Sequence, residues 1–113
     1  GQLALDAPVP SQINRYVAQL IYASHPENND APDVVRNYVR YGASPRGAQA
    51  LIIGAKVNAL LDGRFNVSFD DINAVARPAL RHRLLLNFEG LADGISTDTI
   101  IDTLVKSVAR LPA

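Results

Sequence analysis

The chain contains no cysteine, no methionine and no tryptophan. Without cysteine, disulfides, thiolate nucleophiles and cysteine-based zinc sites are excluded. An excess of either charge is missing too: eleven Lys and Arg offset eleven Asp and Glu, for a formal net charge of zero. Broad electrostatic capture of nucleic acid or of an anionic membrane calls for a basic surface, so a neutral chain argues against both. The longest apolar runs, such as "ALII" and "RLLLN", stop far short of the roughly 20 residues that span a bilayer. No secretory signal pattern opens the sequence, and cytoplasm is the default expectation. A start at Gly1 with no methionine anywhere suggests a piece excised from a longer protein.

Catalytic equipment is equally sparse. No G-x-x-x-x-G-K-[ST] phosphate loop is present. His25 and His82 fall in different elements and neither has a second ligand at metal spacing, so each is expected to be structural or simply exposed. Asp98 and Asp102 lie one helical turn apart and are expected to form a solvated face. No catalytic residue and no metal site is expected in this chain.

What is present is a folded globular composition, with 48% hydrophobic and 19% charged residues in 113 positions, enough for one modest core. The expected fold class is mainly all-α, a small bundle of about four helices with at most one short β-like connector. After an extended, proline-bearing lead-in, Ser11 offers an N-cap for a helix to about Ser24, with Ile13, Val17, Leu20 and Ile21 at helical spacing and Tyr16 beside them. "HPENNDAP" is a loop by its prolines and polar residues. "DVVRNYVRYG" fits either a short helix or a brief strand, closed by Gly42. A long helix follows. Ser44 is its N-cap, Pro45 takes the first position, and Ala48, Leu51, Ile52, Ala55, Ala59 and Leu60 form its stripe up to Gly63 at C′. "RFNVSF" is a β-leaning connector, after which Ser68 and Asp71 form a capping-box-like pair. The helix they open carries Ile72, Val75, Ala76, Ala79 and Leu80, with Pro78 expected to kink or split it. "LLLNFEGLADG" is expected to turn into a last helix capped by Ser96 and bearing Ile100, Ile101, Leu104, Val105 and Val108.

Arg46 stands out. A cation on the first turn of a helix faces the positive end of the macrodipole. Either it points into solvent or pairs with an acid such as Asp33, or it serves an anion. The amide groups of a helix start and a planar guanidinium together suit phosphate, and Gly47 leaves the backbone open to close approach. A second basic cluster, Arg77, Arg81, His82 and Arg83, contains no acid. It is either a solvated face or a surface for docking an acidic partner or supporting phosphate.

The stretch "GASPRGAQALIIGAKVNALLDGRFNVSFDDINAVARPALRHRLLLNFEG", followed by "ADGISTDTIID", resembles the C-terminal lid of the MoxR family of AAA+ ATPases over roughly Tyr41 to Leu104. Shared features are the "GASPR" helix opening, the "V-x-x-x-D-I" start of the next helix, the "LRHR" run, the "LLLNFE" turn and the "GIS" cap. Gly47 departs from the family's usual alanine and is expected to soften the helix start. The resemblance implies residues 1–10 as a linker from an AAA+ core outside this chain and 11–113 as the helical lid. It implies Arg46 as the sensor-2 residue that meets the terminal phosphates, with Ser44, Pro45 and Gly47 shaping the helix start. ATP and Mg2+ are then cofactors of the full-length parent, not tight ligands of this piece. The implied partners are the protein's own core, neighbouring ring subunits and von Willebrand A domain proteins, with no membrane and no nucleic acid, and the implied work is chaperone-like. The alternative is a free-standing helical interaction module, weakly nucleic-acid binding through the basic cluster.

Overall fold

The structure is a computed structural model and describes residues 8–108. Residues 1–7 of the expected linker lie outside that range. Among the described residues the chain forms α1 (Ser11–Ala23), α2 (Asp33–Tyr38), β1 (Val39–Tyr41), α3 (Pro45–Leu61), α4 (Phe69–Leu80), β2 (Leu85–Leu86), α5 (Phe88–Ala92) and α6 (Thr97–Ser107). The mainly helical fold agrees with the sequence, which resolves α1, α3, α4 and α6 and leaves α2 ambiguous and α5 unseen. Among the described residues no helix is long and apolar enough to cross a membrane.

The ambiguous stretch turns out to be both things. Residues 33–38 are helical and 39–41 form a strand, paired antiparallel with β2 through Val39↔Leu86 and Tyr41↔Leu85. Asn87 explains the switch. Its backbone N–H donates to the Tyr38 carbonyl at 2.8 Å and its side-chain amide to the Asn37 carbonyl at 2.7 Å. Two carbonyls that would look for partners at a helix end are thereby satisfied from outside. The Asn87 side-chain oxygen meanwhile accepts from the Gly90 N–H and caps α5. The β pairing therefore falls at 39–41, within the stretch for which a brief strand was one of the two readings, and at 85–86, while the β-leaning "RFNVSF" connector forms no strand.

Two other local expectations are corrected. Pro10, not Ser11, is the N-cap of α1, with its carbonyl accepting from the Ile13 and Asn14 amides. Pro78 does not divide α4, which runs on as one helix to Leu80. The proline lies in the last turn with its ring exposed, so the missing bond to Ala74 falls where the helix is about to end.

Ile13, Tyr16, Val17 and Leu20 of α1 meet Leu51 and Ala55 of α3, Ile72, Ala76 and Leu80 of α4, and Ile100, Ile101 and Leu104 of α6 in one core. Each fully buried large aliphatic side chain there contributes about 1.5–3 kcal/mol. Tyr16 packs edge-on against Phe69 with centroids 5.2 Å apart and donates its hydroxyl to Asn73 at 2.6 Å. The small residues of α3 allow α4 to come close; a Cβ on Gly54 would sit 3.2 Å from Val75.

Between α3 and α4 the chain reverses through Gly63, whose φ of 74° suits glycine. The Gly63 N–H donates to the Leu60 carbonyl and the Arg64 N–H to the Ala59 carbonyl, which is the Schellman pattern. That turn delivers Arg64 to Asp71. The Asp71 side chain is 2% exposed and accepts five hydrogen bonds: two from the Arg64 guanidinium (2.6 and 2.8 Å), one from Asn58 (2.9 Å), and two from the Ser68 N–H and hydroxyl (2.8 and 3.0 Å). Ser68 and Asp71 form a complete capping box at the start of α4. The Arg64 guanidinium holds the Asp71 carboxyl well below the usual carboxylate range, against the opposing effect of burial.

A depressed folded-state pKa stabilises the fold above the unfolded carboxylate value of about 4 and is lost as pH falls below it. Asp71→Ala is expected to cost about 3 kcal/mol at pH 7 in urea melts. The variant is also expected to lose less stability than the parent chain between pH 5 and pH 2.

Candidate functional site

The start of α3 is assembled by three neighbours. The Ser44 hydroxyl accepts from the Arg46 N–H at 3.2 Å, Pro45 takes the first helical position, and the Gly47 N–H donates to the Ser44 carbonyl at 2.8 Å. Pro45 has no N–H, and the next two amides are engaged within the turn. The attraction of this end for an anion therefore rests on the macrodipole and the guanidinium rather than on free amide donors, unlike the expectation from sequence. No acid occupies the first turn of α3.

Arg46 is exposed, and among the described residues no acid pairs with its guanidinium. Asp33, the acid that could have neutralised it, pairs with Arg36 instead. Gly47 is buried, and its close approach is to the protein's own side chains. A Cβ there would lie 3.1 Å from Ala43, 3.2 Å from Leu80 and 3.3 Å from Ile21. The glycine thus seats the first turn of α3 between the ends of α1 and α4, and the helix starts regularly despite it.

Just upstream, Ala43 is fully buried and outside both β1 and α3. Its N–H donates to the Ser24 hydroxyl at 2.9 Å and its carbonyl accepts from His25 Nε2 at 2.7 Å. Ser24 is itself fully buried and donates to the Ile21 carbonyl at 2.6 Å. Sequence reasoning left His25 as structural or exposed and did not consider the Ser24 side chain; it foresaw the partner of neither. A serine and a histidine ending a helix carry no local sign of a partner 18 or 19 residues away.

The second basic cluster divides. Arg77 forks onto Asp102 (2.9 and 2.5 Å) and Arg81 onto Asp98 (2.8 and 3.0 Å), so α4 and α6 are joined by two parallel charged rungs. The guanidinium hydrogen bonds pull both carboxyls below their ordinary range. Asp98 and Asp102 are therefore not a free solvated face. Arg83 donates to the Ala79 carbonyl at 3.0 Å and His82 is exposed. With two of its three arginines engaged internally, the cluster presents much less positive charge than its sequence suggests. Leu80, which touches the Gly47 position, places the end of α4 against the start of α3.

This geometry matches a known family. The AAA lid domain family model covers residues 32–104. The chain is 35% identical over 94 residues to the chaperone MoxR1 of Mycobacterium tuberculosis, across 83% of this chain and 25% of that protein. It is 43% identical over 49 residues to the protein MoxR of Paracoccus denitrificans, across 43% of this chain and 14% of that one. A crystal structure of a candidate ATPase from Cytophaga hutchinsonii superposes with a TM-score of 0.90 at 31% identity, covering 98% of this chain and 34% of that one. The chain belongs to the AAA lid domain family, in its MoxR form. It spans a quarter or less of the length of these curated relatives.

If the two rungs hold the cluster neutral, the chain should bind duplex DNA weakly and with a shallow dependence on salt. A combined Asp98→Asn and Asp102→Asn variant is expected to steepen the slope of log K against log[salt] by about 2. Fluorescence anisotropy between 50 and 200 mM salt measures both.

Proposed function

We propose that this chain is the nucleotide-sensing lid of a MoxR-type AAA+ ATPase and that Arg46 is its sensor-2 residue. The observation that carries this is an exposed guanidinium on the first turn of a capped helix, with no acid partner among the described residues and no acid in that turn. A terminal phosphate placed beside it would receive a forked, charge-assisted contact and the positive end of the dipole together. That contact strengthens as charge develops on the transferring phosphoryl group and ends when phosphate departs. A rigid bundle joined to the core through the "DAPVP" segment converts its loss into movement of the lid.

ATP and Mg2+ belong to the full-length protein in this scheme. The acids that hold magnesium are assigned to the core in the same scheme. Association with that core and with neighbouring ring subunits is supported by the apolar side chains left outside, among them Leu61 and Phe88, each 84% exposed. A cytoplasmic, chaperone-like assembly, working beside proteins with von Willebrand A domains, completes the proposal.

Arg46→Ala in the full-length protein is expected to lower ATP turnover about 100-fold while the melting temperature of the lid is unchanged. Arg46→Lys, which keeps the charge and loses the fork, should recover only part of it. Full turnover from a folded Arg46→Ala protein would overturn the assignment. Mg-ATP added to the isolated chain, followed by amide shifts, is expected to bind with a Kd of about 1 mM or weaker. Micromolar binding would place the main phosphate ligands within this chain and contradict the division of labour.

A further inference from the structure

Ser24 and His25 sit at the carboxyl end of α1, far in sequence from the start of α3, yet they hold both polar groups of the Ala43 backbone. Ser24 uses its hydroxyl proton on the Ile21 carbonyl and its oxygen on the Ala43 N–H. His25 must donate from Nε2, because the Ala43 carbonyl can only accept. Its other nitrogen faces Glu27 at 3.6 Å. Gly42 rides so close to this pair that a Cβ there would lie 2.5 Å from the Ser24 carbonyl oxygen and 2.8 Å from the His25 ring.

From Ala43 to Arg46 there is little slack. Ser44 is fixed as the cap, Pro45 has its φ locked by its ring, and Gly47 is wedged against Ile21 and Leu80. A shift at Ala43 must therefore be carried into the first turn of α3.

We propose that Ser24 and His25 form a positioning seat for Arg46, clamping Ala43 so that the first turn of α3 presents its guanidinium in one fixed direction. The seat rests on the sensing role assigned to Arg46. His25 touches no nucleotide and acts through Arg46 alone. A misplacement of about 1 Å at a phosphate contact is enough to cost up to 100-fold in rate, so a change at His25, bonded to a carbonyl 18 residues onward, is felt at the chemistry.

The test combines His25→Leu, which fills the space without a donor, with His25→Gln, whose amide can still reach the Ala43 carbonyl. In the full-length protein His25→Leu is expected to lower kcat about tenfold at little change in KM for ATP and in melting temperature. His25→Gln should restore most of the rate. Added to Arg46→Ala, His25→Leu should cost nothing further. In the 113-residue chain, the amide resonances of Ser44 to Gly47 should shift with His25→Leu and return with His25→Gln. If His25→Leu does not fold, His25→Asn, too short to reach the carbonyl, takes its place in every comparison. A His25→Leu loss that adds fully to that of Arg46→Ala, or a His25→Gln protein as slow as His25→Leu, overturns the seat and leaves the sensing role standing. An Arg46→Ala protein with full turnover overturns both.

Discussion

A single buried carboxylate governs how the two central helices meet. Asp71 gathers the end of α3 through Asn58, the reversing turn through Arg64 and the start of α4 through Ser68. Burying a charge is costly unless its lone pairs are taken up, and here five donors do so. The position of α4 against α3 then follows, and with it the close contact at Gly54 and the placement of Leu80 at the far end. Leu80 closes over Gly47 on the first turn of α3. The first turn of α3, which carries the exposed arginine, is thus seated by packing that begins at a salt bridge on the opposite end of the same helix pair.

The proposed nucleotide-sensing role would require the lid to move as a body, and the fold suits that requirement. Helices α1, α3, α4 and α6 share one core, α4 and α6 are riveted by two arginine forks, and α2 and α5 are joined through Asn87. Among the described residues every buried side-chain nitrogen or oxygen has a hydrogen-bond partner. Little internal freedom remains to absorb a push delivered at Arg46.

Features governed by neighbours in sequence were legible in the chain. Ser44, Pro45, Ser68, Gly63 and Ser96 obey local rules of capping and turning, and the stripes of α1, α3, α4 and α6 follow from helical spacing. Features that depend on a distant partner were not. Nothing near Asn87 reveals that it will end a helix fifty residues earlier. "DVVRNYVRYG" lacks the length to choose between helix and strand until that partner arrives. The arginines of "RPALRHR" look like a free basic patch because their acids lie 17 and 25 residues onward. Arg46 was singled out by the mismatch between its charge and its place, a local signal, whereas the Ser24 and His25 clamp behind it gave none.

The pairing of arginines with acids also shapes how the molecule looks from a distance. Arg36, Arg64, Arg77 and Arg81 each close onto an aspartate, so their charges form short dipoles whose fields decay quickly. Beyond a Debye length of about 8 Å in physiological salt, these four pairs add little to what an approaching anion meets. A phosphate would not be drawn to Arg46 from afar; it would have to be brought there. In the proposed sensing role, a detector with so short a range would stay silent toward the nucleotides and nucleic acids of bulk solution and would respond to the one phosphate delivered to its face.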